Sequence, residues 1–211
     1  MNKRFSIELF DTVIVANGTF PMHQLPLGQL KHAKTIICCD GAIESLHNLG
    51  IAPTVIVGDM DSIPQKHISL YKNIIHHNPD QNTNDLTKSI QWVINNKFSS
   101  VCILGGTGKR EDHTLGNISL LHQYRNKLTV QMLTDTGIFT PILHNHTFSS
   151  YSGQQVSIFA QNPDLEISST GLKYPLDKLK LQYWWMGTLN ESIDTEFSIF
   201  SDEIVVVYQT Y

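Results

Sequence analysis

Basic charge is scarce in this chain and cysteine scarcer. Lys and Arg number 15 against 19 Asp and Glu in 211 residues, a formal net charge of −4. A nucleic-acid partner needs a basic footprint. No Lys/Arg stripe and no RNA-binding aromatic motif is present, so no nucleic acid is expected. The 3 cysteines, Cys38, Cys39 and Cys102, have neither metal nor redox spacing and sit inside apolar runs. They read as buried thiols of a reducing cytosol, and a cytoplasmic location is expected. No apolar run approaches the length of a bilayer span, so no membrane is expected. Glu8 and Asp11 interrupt residues 1–11, which therefore do not read as a signal peptide. Repeats and low-complexity segments are missing, as are a Ser/His/Asp order and a reactive-cysteine context, so covalent catalysis has no support.

What the chain does have is a series of short apolar runs. Residues 12–17, 35–39, 55–57, 73–77, 100–104 and 128–133 read as buried strands. Helical spacing predicts helices over residues 23–33 and 42–49. Two more are expected: one capped by Asn82 or Thr83, with Leu86, Ile90, Val93 and Ile94 inward, and one over about 112–126, with Leu115, Ile118, Leu121 and His122 on one side. Strands alternating with helices imply a doubly wound, mostly parallel sheet. After about residue 135 the pattern becomes short alternating stretches at 138–143, 155–159, 165–168 and 204–208, between turn residues. That predicts an all-β sandwich or barrel. The expected organisation is an α/β domain over residues 1–138 and a β domain over residues 139–211. His144 and His146 are assigned to a turn, and Trp184 and Trp185 to the core and rim of the β domain.

Acidic residues follow several of the predicted strands. In Gly58-Asp-Met-Asp-Ser62 an extended chain would put Asp59 and Asp61 on one face, with Cα atoms roughly 6.5–7 Å apart. Two carboxylates that close repel unless a cation lies between them, and hard oxygen donors suit Mg²⁺. Asp40 follows a second strand, residues 105–112 a third, and Asp85 opens the helix after a fourth. Ligands of open parallel sheets bind beyond the carboxyl ends of strands, so these groups are expected to converge on one rim. The loop Gly105-Gly-Thr-Gly-Lys-Arg-Glu-Asp-His113 fails as a Walker A motif at Ile103 and Arg110, and it lacks the last glycine of a dinucleotide fingerprint. Its glycines, Lys109 and Arg110 before a helix suit a polyphosphate; a plain glycine turn is the alternative.

Together these residues resemble the thiamine pyrophosphokinase family. The resemblance rests on Asp40-Gly41-Ala42, on Gly58-Asp-Met-Asp-Ser62 and on Pro79-Asp-Gln-Asn-Thr-Asn-Asp-Leu-Thr-Lys88. It continues through Gly105-Gly106, Arg110-Glu-Asp-His113 and Thr170-Gly-Leu-Lys-Tyr-Pro-Leu176. It implies a nucleotide- and metal-binding catalytic first domain and a thiamine-binding, dimerising second domain. It further implies Mg²⁺-dependent transfer of pyrophosphate from ATP to the thiamine hydroxyl, giving thiamine diphosphate and AMP, by a homodimer with its active site at the subunit interface.

Carried over residue by residue, the resemblance implies catalytic roles for Asp59, Asp61, Asp85 and Asp112, the first three also holding metal. ATP would meet Asn17, Asp40, Gly41, Gly105, Thr107, Arg110, Asp112 and His113. Thiamine would meet Gln81, Lys88, Tyr174, Thr188 and Asn190. Asp59, Asp85 and Asp112 all remain open as the general base. Leu189 stands where many relatives have a serine, leaving Thr188 and Ser192 as candidate hydroxyls. Two rival readings are an Asp-x-Asp nucleotide-sugar transferase, which leaves Asp85 and the glycine loop idle, and a non-catalytic thiamine or nucleotide sensor.

Overall fold

The computed structural model describes residues 7–211, so residues 1–6 of the stretch read as carrying no signal peptide lie outside the described residues. The chain divides into two units. One comprises residues 9–118 and 127–135; the other is built mainly from residues 119–126 and 136–211.

In the first unit the strands are β1 (Thr12–Val15), β2 (Thr35–Cys39), β3 (Val55–Gly58), β4 (Ile75–His77), β5 (Ser100–Leu104) and β6 (Thr129–Leu133). They lie in the order β6-β5-β1-β2-β3-β4, with every pair parallel. The chain moves outward from β1 to β4, then returns to the far side of β1 for β5 and β6. The order therefore reverses between β1 and β5, which is where an α/β sheet opens a crevice for ligands. Every residue of β1 and β3 is buried, as continuous Val/Ile runs require when both faces of a sheet are covered. The sheet is doubly wound, as the sequence predicts.

The helices are α1 (Gln24–His32), α2 (Ile43–Asn48), α3 (Gln65–Tyr71), α4 (Asp85–Asn95) and α5 (Glu111–Arg125). Pro26 does not break α1, because it falls in the first turn, whose N–H groups have no helical partner. The cap of α4 is Asn84 rather than Asn82 or Thr83, since Asn84 Oδ1 accepts from Thr87 N at 2.9 Å. Leu86, Ile90 and Val93 are buried and Ile94 only half so. On α5, Leu121 and His122 are buried but Leu115 is 55% exposed, so the expected stripe does not extend through the first turns. α3 was not expected; among its residues only His67 is buried. A 3₁₀ turn over Lys72–Ile74 delays β4 by two residues. The cysteines are free and buried, and burial pushes the Cys39 thiol up to about 12. Thiols in that state are inert.

The second unit holds β7 (Gly137–Ile142), β8 (His146–Ser149), β9 (Gln155–Ala160), β10 (Glu166–Thr170), β11 (Leu179–Lys180), β12 (Asn190–Glu191), β13 (Glu196–Phe200) and β14 (Val205–Thr210). They form two antiparallel groups, β12-β9-β14-β7 and β11-β10-β13-β8. Alternate residues from both groups, among them Val156, Ile158, Ile167, Ile199 and Val207, share one core. Within it Phe148 and Phe197 stack 4.9 Å apart. The sandwich agrees with expectation, although β8, β11, β12 and β13 were not anticipated. His144 turns the chain at φ +63°, while His146 opens β8 instead of completing a turn. Among the described residues no helix is long and apolar enough to cross a membrane.

Candidate active site

Three carboxylates meet beyond the carboxyl ends of β2 and β3. Asp40 follows β2 directly, and Asp59 and Asp61 follow β3. Oxygens from all three lie within 4.8 Å of one another. Asp59 and Asp61 do not get there by continuing the strand, as the sequence suggested. Met60 between them adopts φ +74°, and the left-handed residue turns the segment back on itself. Met60 N then donates to Asp40 Oδ2 at 3.2 Å, and Gly41 N donates to Asp40 Oδ1. Gly58 makes the convergence possible, because a Cβ there would sit 2.8 Å from the Asp40 side chain. Burial raises the Asp40 carboxyl to about 6, helped by the charges of Asp85, Asp59 and Asp61. The cluster thus carries negative charge that its own hydrogen bonds do not neutralise, from hard oxygen donors, and it fits a divalent cation such as Mg²⁺.

Asp85 is not in that triad. Its Oδ1 pairs with Lys88 Nζ at 3.1 Å, and the same ammonium reaches Asp59 Oδ2 at 3.2 Å. Gln81 Nε2 donates to Asp59 Oδ2 at 3.1 Å, so Gln81, Asp59, Lys88 and Asp85 form one network. The Lys88 bond holds Asp59 down at about 2. The Lys88 side chain is only 2% exposed. Burial opposes its charge, but the bonds from Asp85 and Asp59 outweigh that and raise its pKa.

The loop after β5 lies against the loop after β1, at the reversal of strand order. Gly18 N donates to Gly105 O and Thr19 N to Thr107 O, each at 2.8 Å. A Cβ on Gly18 would collide with both of those carbonyl oxygens. Lys109 Nζ donates to Asn17 Oδ1 at 2.9 Å. Asn17, Asp59, Asp61, Asp85, Lys88, Arg110 and His113 line one cavity of about 410 Å³. Thr107, Gly105 and Gly41 shape its loops without lining it, and Asp40 sits buried behind it. Asp112 points elsewhere: it pairs with Arg110 through two oxygens, is 60% exposed, and is held well below the usual carboxylate range by that guanidinium. Two asparagines were overlooked. Asn117 Nδ2 donates to Gly106 O at 2.8 Å while Asn84 Nδ2 donates to Asn117 Oδ1 at 3.2 Å, and both line the cavity. Asn117 lies four residues after His113 on α5, a spacing that the sequence did display.

Tyr174, Thr188 and Asn190 belong to the second unit. Asn190 is buried and wholly engaged. Its Nδ2 donates to Tyr174 O at 2.7 Å, and its Oδ1 accepts from Tyr174 N and Glu191 N at 3.1 and 2.8 Å. It holds the Tyr174 backbone, leaving the tyrosine ring 62% exposed. Thr188 Oγ1 donates to Trp185 O at 2.7 Å. Of the two candidate hydroxyls, Ser192 is fully buried and bonded to Ser150 Oγ at 2.7 Å, which withdraws it from any ligand. Trp185 is 72% exposed and Trp184 partly so; neither lies in the core.

Comparison with known proteins agrees over both units. The profile described as thiamin pyrophosphokinase, catalytic domain, matches residues 28–132, and that of the thiamin pyrophosphokinase substrate-binding domain matches residues 137–208. Thiamine pyrophosphokinase 1 of Oryza sativa subsp. japonica is 30% identical over 159 residues, 68% of this chain and 60% of that protein. Thiamine pyrophosphokinase 3 of the same plant is 32% identical over 162 residues, 70% of this chain and 61% of that protein. The chain thus spans about three fifths of the length of these two relatives. The solved structure of thiamin pyrophosphokinase from Candida albicans superimposes with a TM-score of 0.78 at 20% identity, over 95% of this chain and 89% of that one, a likeness of fold. With both profiles matched in order and the acids, lysine and glycine loops gathered on one rim, the chain belongs to the thiamine pyrophosphokinase family.

Proposed function

We propose that the protein transfers the pyrophosphoryl group of ATP to the hydroxyl of thiamine, giving thiamine diphosphate and AMP, with Mg²⁺, as a cytoplasmic homodimer. The observation that carries this reading is the cavity of the first unit. It gathers Asp59, Asp61, Asp85 and Lys88 in one lining with Asn17, Lys109, Arg110 and His113. The carboxylates suit a divalent cation and the lysine–arginine loop a polyphosphate. The thiamine oxygen would attack the β-phosphorus, and the bond from that phosphorus to the α–β bridging oxygen would break, that oxygen leaving with AMP.

Mg²⁺, when bound by Asp59 and Asp61 with Asp40 behind them, would supply positive charge toward the phosphoryl oxygens. Arg110 and Lys109 would orient the chain of phosphates, and most of the gain would come from positioning and electrostatics. The hydroxyl proton would pass to a carboxylate of the cavity. The net negative rim also suits the cationic thiazolium ring. Tyr174, presented by Asn190, would offer its exposed face to the thiamine, and the exposed Trp185, Leu189 and Ile193 supply apolar surface for a second subunit.

Product identity is the decisive experiment. Purified protein with ATP, Mg²⁺ and thiamine should yield AMP and thiamine diphosphate in equal amounts, and chelation should stop it. ADP with thiamine monophosphate would mean attack at the γ-phosphorus and would end this reading. If the active site is shared between subunits, Asp59→Asn and Tyr174→Ala should complement when refolded together. Random mixing gives about half heterodimers with one intact site each, hence about one quarter of wild-type activity. A mixture showing only the average of its parents would place each site within one chain.

A further inference from the structure

Lys88 is the least exposed cation of the site, and among the described residues it is the only one paired with Asp59 and Asp85. Its Nζ lies 3.2 Å from Asp59 Oδ2 and 3.1 Å from Asp85 Oδ1, joining the loop after β3 to the first turn of α4. An ammonium this deeply buried is costly unless carboxylates hold it, and two do. Carboxylates this crowded are equally costly without a cation, since Asp40, Asp59 and Asp61 bring oxygens within 4.8 Å of one another. Each half of the network therefore needs the other.

From this geometry we infer that Lys88 is a displaceable internal counter-ion: it holds Asp59 and Asp85 in place of a metal and yields them when a divalent cation binds. The inference deepens the reading of the site as a Mg²⁺ site and rests on it. Lys88 is accordingly a positioning residue in the cation-free protein. Once released it adds a positive charge to a cavity that Lys109 and Arg110 also line, so cation and polyphosphate binding should be coupled.

The consequence runs against the usual result of removing a site residue. A competitor for Asp59 disappears in Lys88→Met, and so does a repulsive charge beside the incoming ion. Mg²⁺ should bind that variant more tightly than wild type, by about tenfold for each 1.4 kcal/mol of lost competition. The measurement is a Mg²⁺ titration without nucleotide at pH 8, read as the rise in thermal midpoint, with MgCl₂ replaced by an equal ionic strength of KCl as control. Without Mg²⁺, Lys88→Met should melt below wild type, and saturating Mg²⁺ should close that gap. Lys88→Arg, which keeps the charge, should titrate as wild type does.

Lys88→Gln serves as a second neutral variant if Lys88→Met does not fold. A neutral variant that folds only with Mg²⁺ also supports the inference. A Mg²⁺ response in both neutral variants that is equal to or weaker than wild type overturns it, because a merely structural lysine would weaken the site or leave it unchanged. A wild type that shows no Mg²⁺-specific response removes the metal reading itself, which separates the two failures.

Discussion

The two units hold their candidate residues by opposite means. In the first, side chains fix side chains: Lys88 ties Asp59 to Asp85, Gln81 bonds Asp59, and Asp40 is braced by turn N–H groups. In the second, a side chain fixes backbone: Asn190 grips both the N–H and the C=O of Tyr174 and leaves the ring free. The first arrangement concentrates negative charge around one buried ammonium. The second uses neutral groups only and leaves the Tyr174 side chain exposed. On the function proposed above, chemistry would fall to the first kind of construction and recognition to the second. Substitutions in the two units should therefore fail differently.

The largest effect is expected at Asp59 and Asp61. Asp59→Asn or Asp61→Asn keeps volume and removes one ligand charge, so formation of thiamine diphosphate should fall by about two orders of magnitude or more. The fold should survive in both, but without metal the two should part: Asp61→Asn relieves repulsion within the cluster, so its thermal midpoint should hold or rise, whereas Asp59→Asn takes a charge partner from the buried Lys88, so its midpoint should fall. Circular dichroism and a product assay on the same samples check both halves. Near-wild-type turnover in both variants would reduce this region to a solvated turn and dissolve the contrast between the units.

Asn190 probes the other construction. Asn190→Ala leaves the Tyr174 carbonyl and two N–H groups without their partner, a loss of about 1–3 kcal/mol in a buried setting. Asn190→Asp keeps the acceptor but turns a buried carboxylate oxygen on the Tyr174 carbonyl, so it should cost at least as much as alanine. If Tyr174 serves thiamine, KM for thiamine should rise while KM for ATP stays put. Equal increases in both would mean that the clamp serves the whole protein and not a recognition face.

The same contrast decides what the sequence discloses. Continuous runs such as those of β2, β3 and β5, which end at Asp40, Gly58 and Gly105, report both a buried parallel strand and the position of its carboxyl end. The rim of the first unit was therefore legible. What local sequence could not report is the choice among competent neighbours. Asn82, Thr83 and Asn84 can all cap a helix, and tertiary packing selects Asn84. Nor could it show Asp40 entering the triad, which depends on Gly58 lacking a Cβ and on the turn at Met60. In the second unit β13 does alternate, with Phe197 and Ile199 inward, but strands this short match many registers and are easily missed. α3 offers still less, since Leu70 is exposed and its one buried side chain is a histidine.

That histidine carries the smallest prediction, and one that sharpens the contrast further. His67 is 1% exposed, and neither ring nitrogen has a hydrogen-bond partner. Its ring lies 4.7 Å from that of His47 on α2, with Tyr71 bonded to His47 at 2.9 Å and the Lys66–Glu44 pair alongside at 3.8 Å. Burial lowers its pKa, with the charge of Lys66 and the neighbouring His47 adding to the effect against the pull of Glu44. The sign follows from linkage. The folded state prefers the neutral ring, the unfolded chain takes up a proton near the ordinary value of about 6.5, and stability is lost as pH falls through the lowered folded pKa. His67→Leu removes the group and also two unsatisfied buried nitrogens, so at pH 7.5 it should be at least as stable as wild type. Between pH 7.5 and 5 the wild type should lose more of its thermal midpoint than the variant, by a few degrees at most. The acids of the site titrate in both proteins and cancel in the difference. Parallel melting curves across that range would show that His67 takes up its proton equally in the folded and unfolded states, and that its burial beside α2 does not hold the ring neutral.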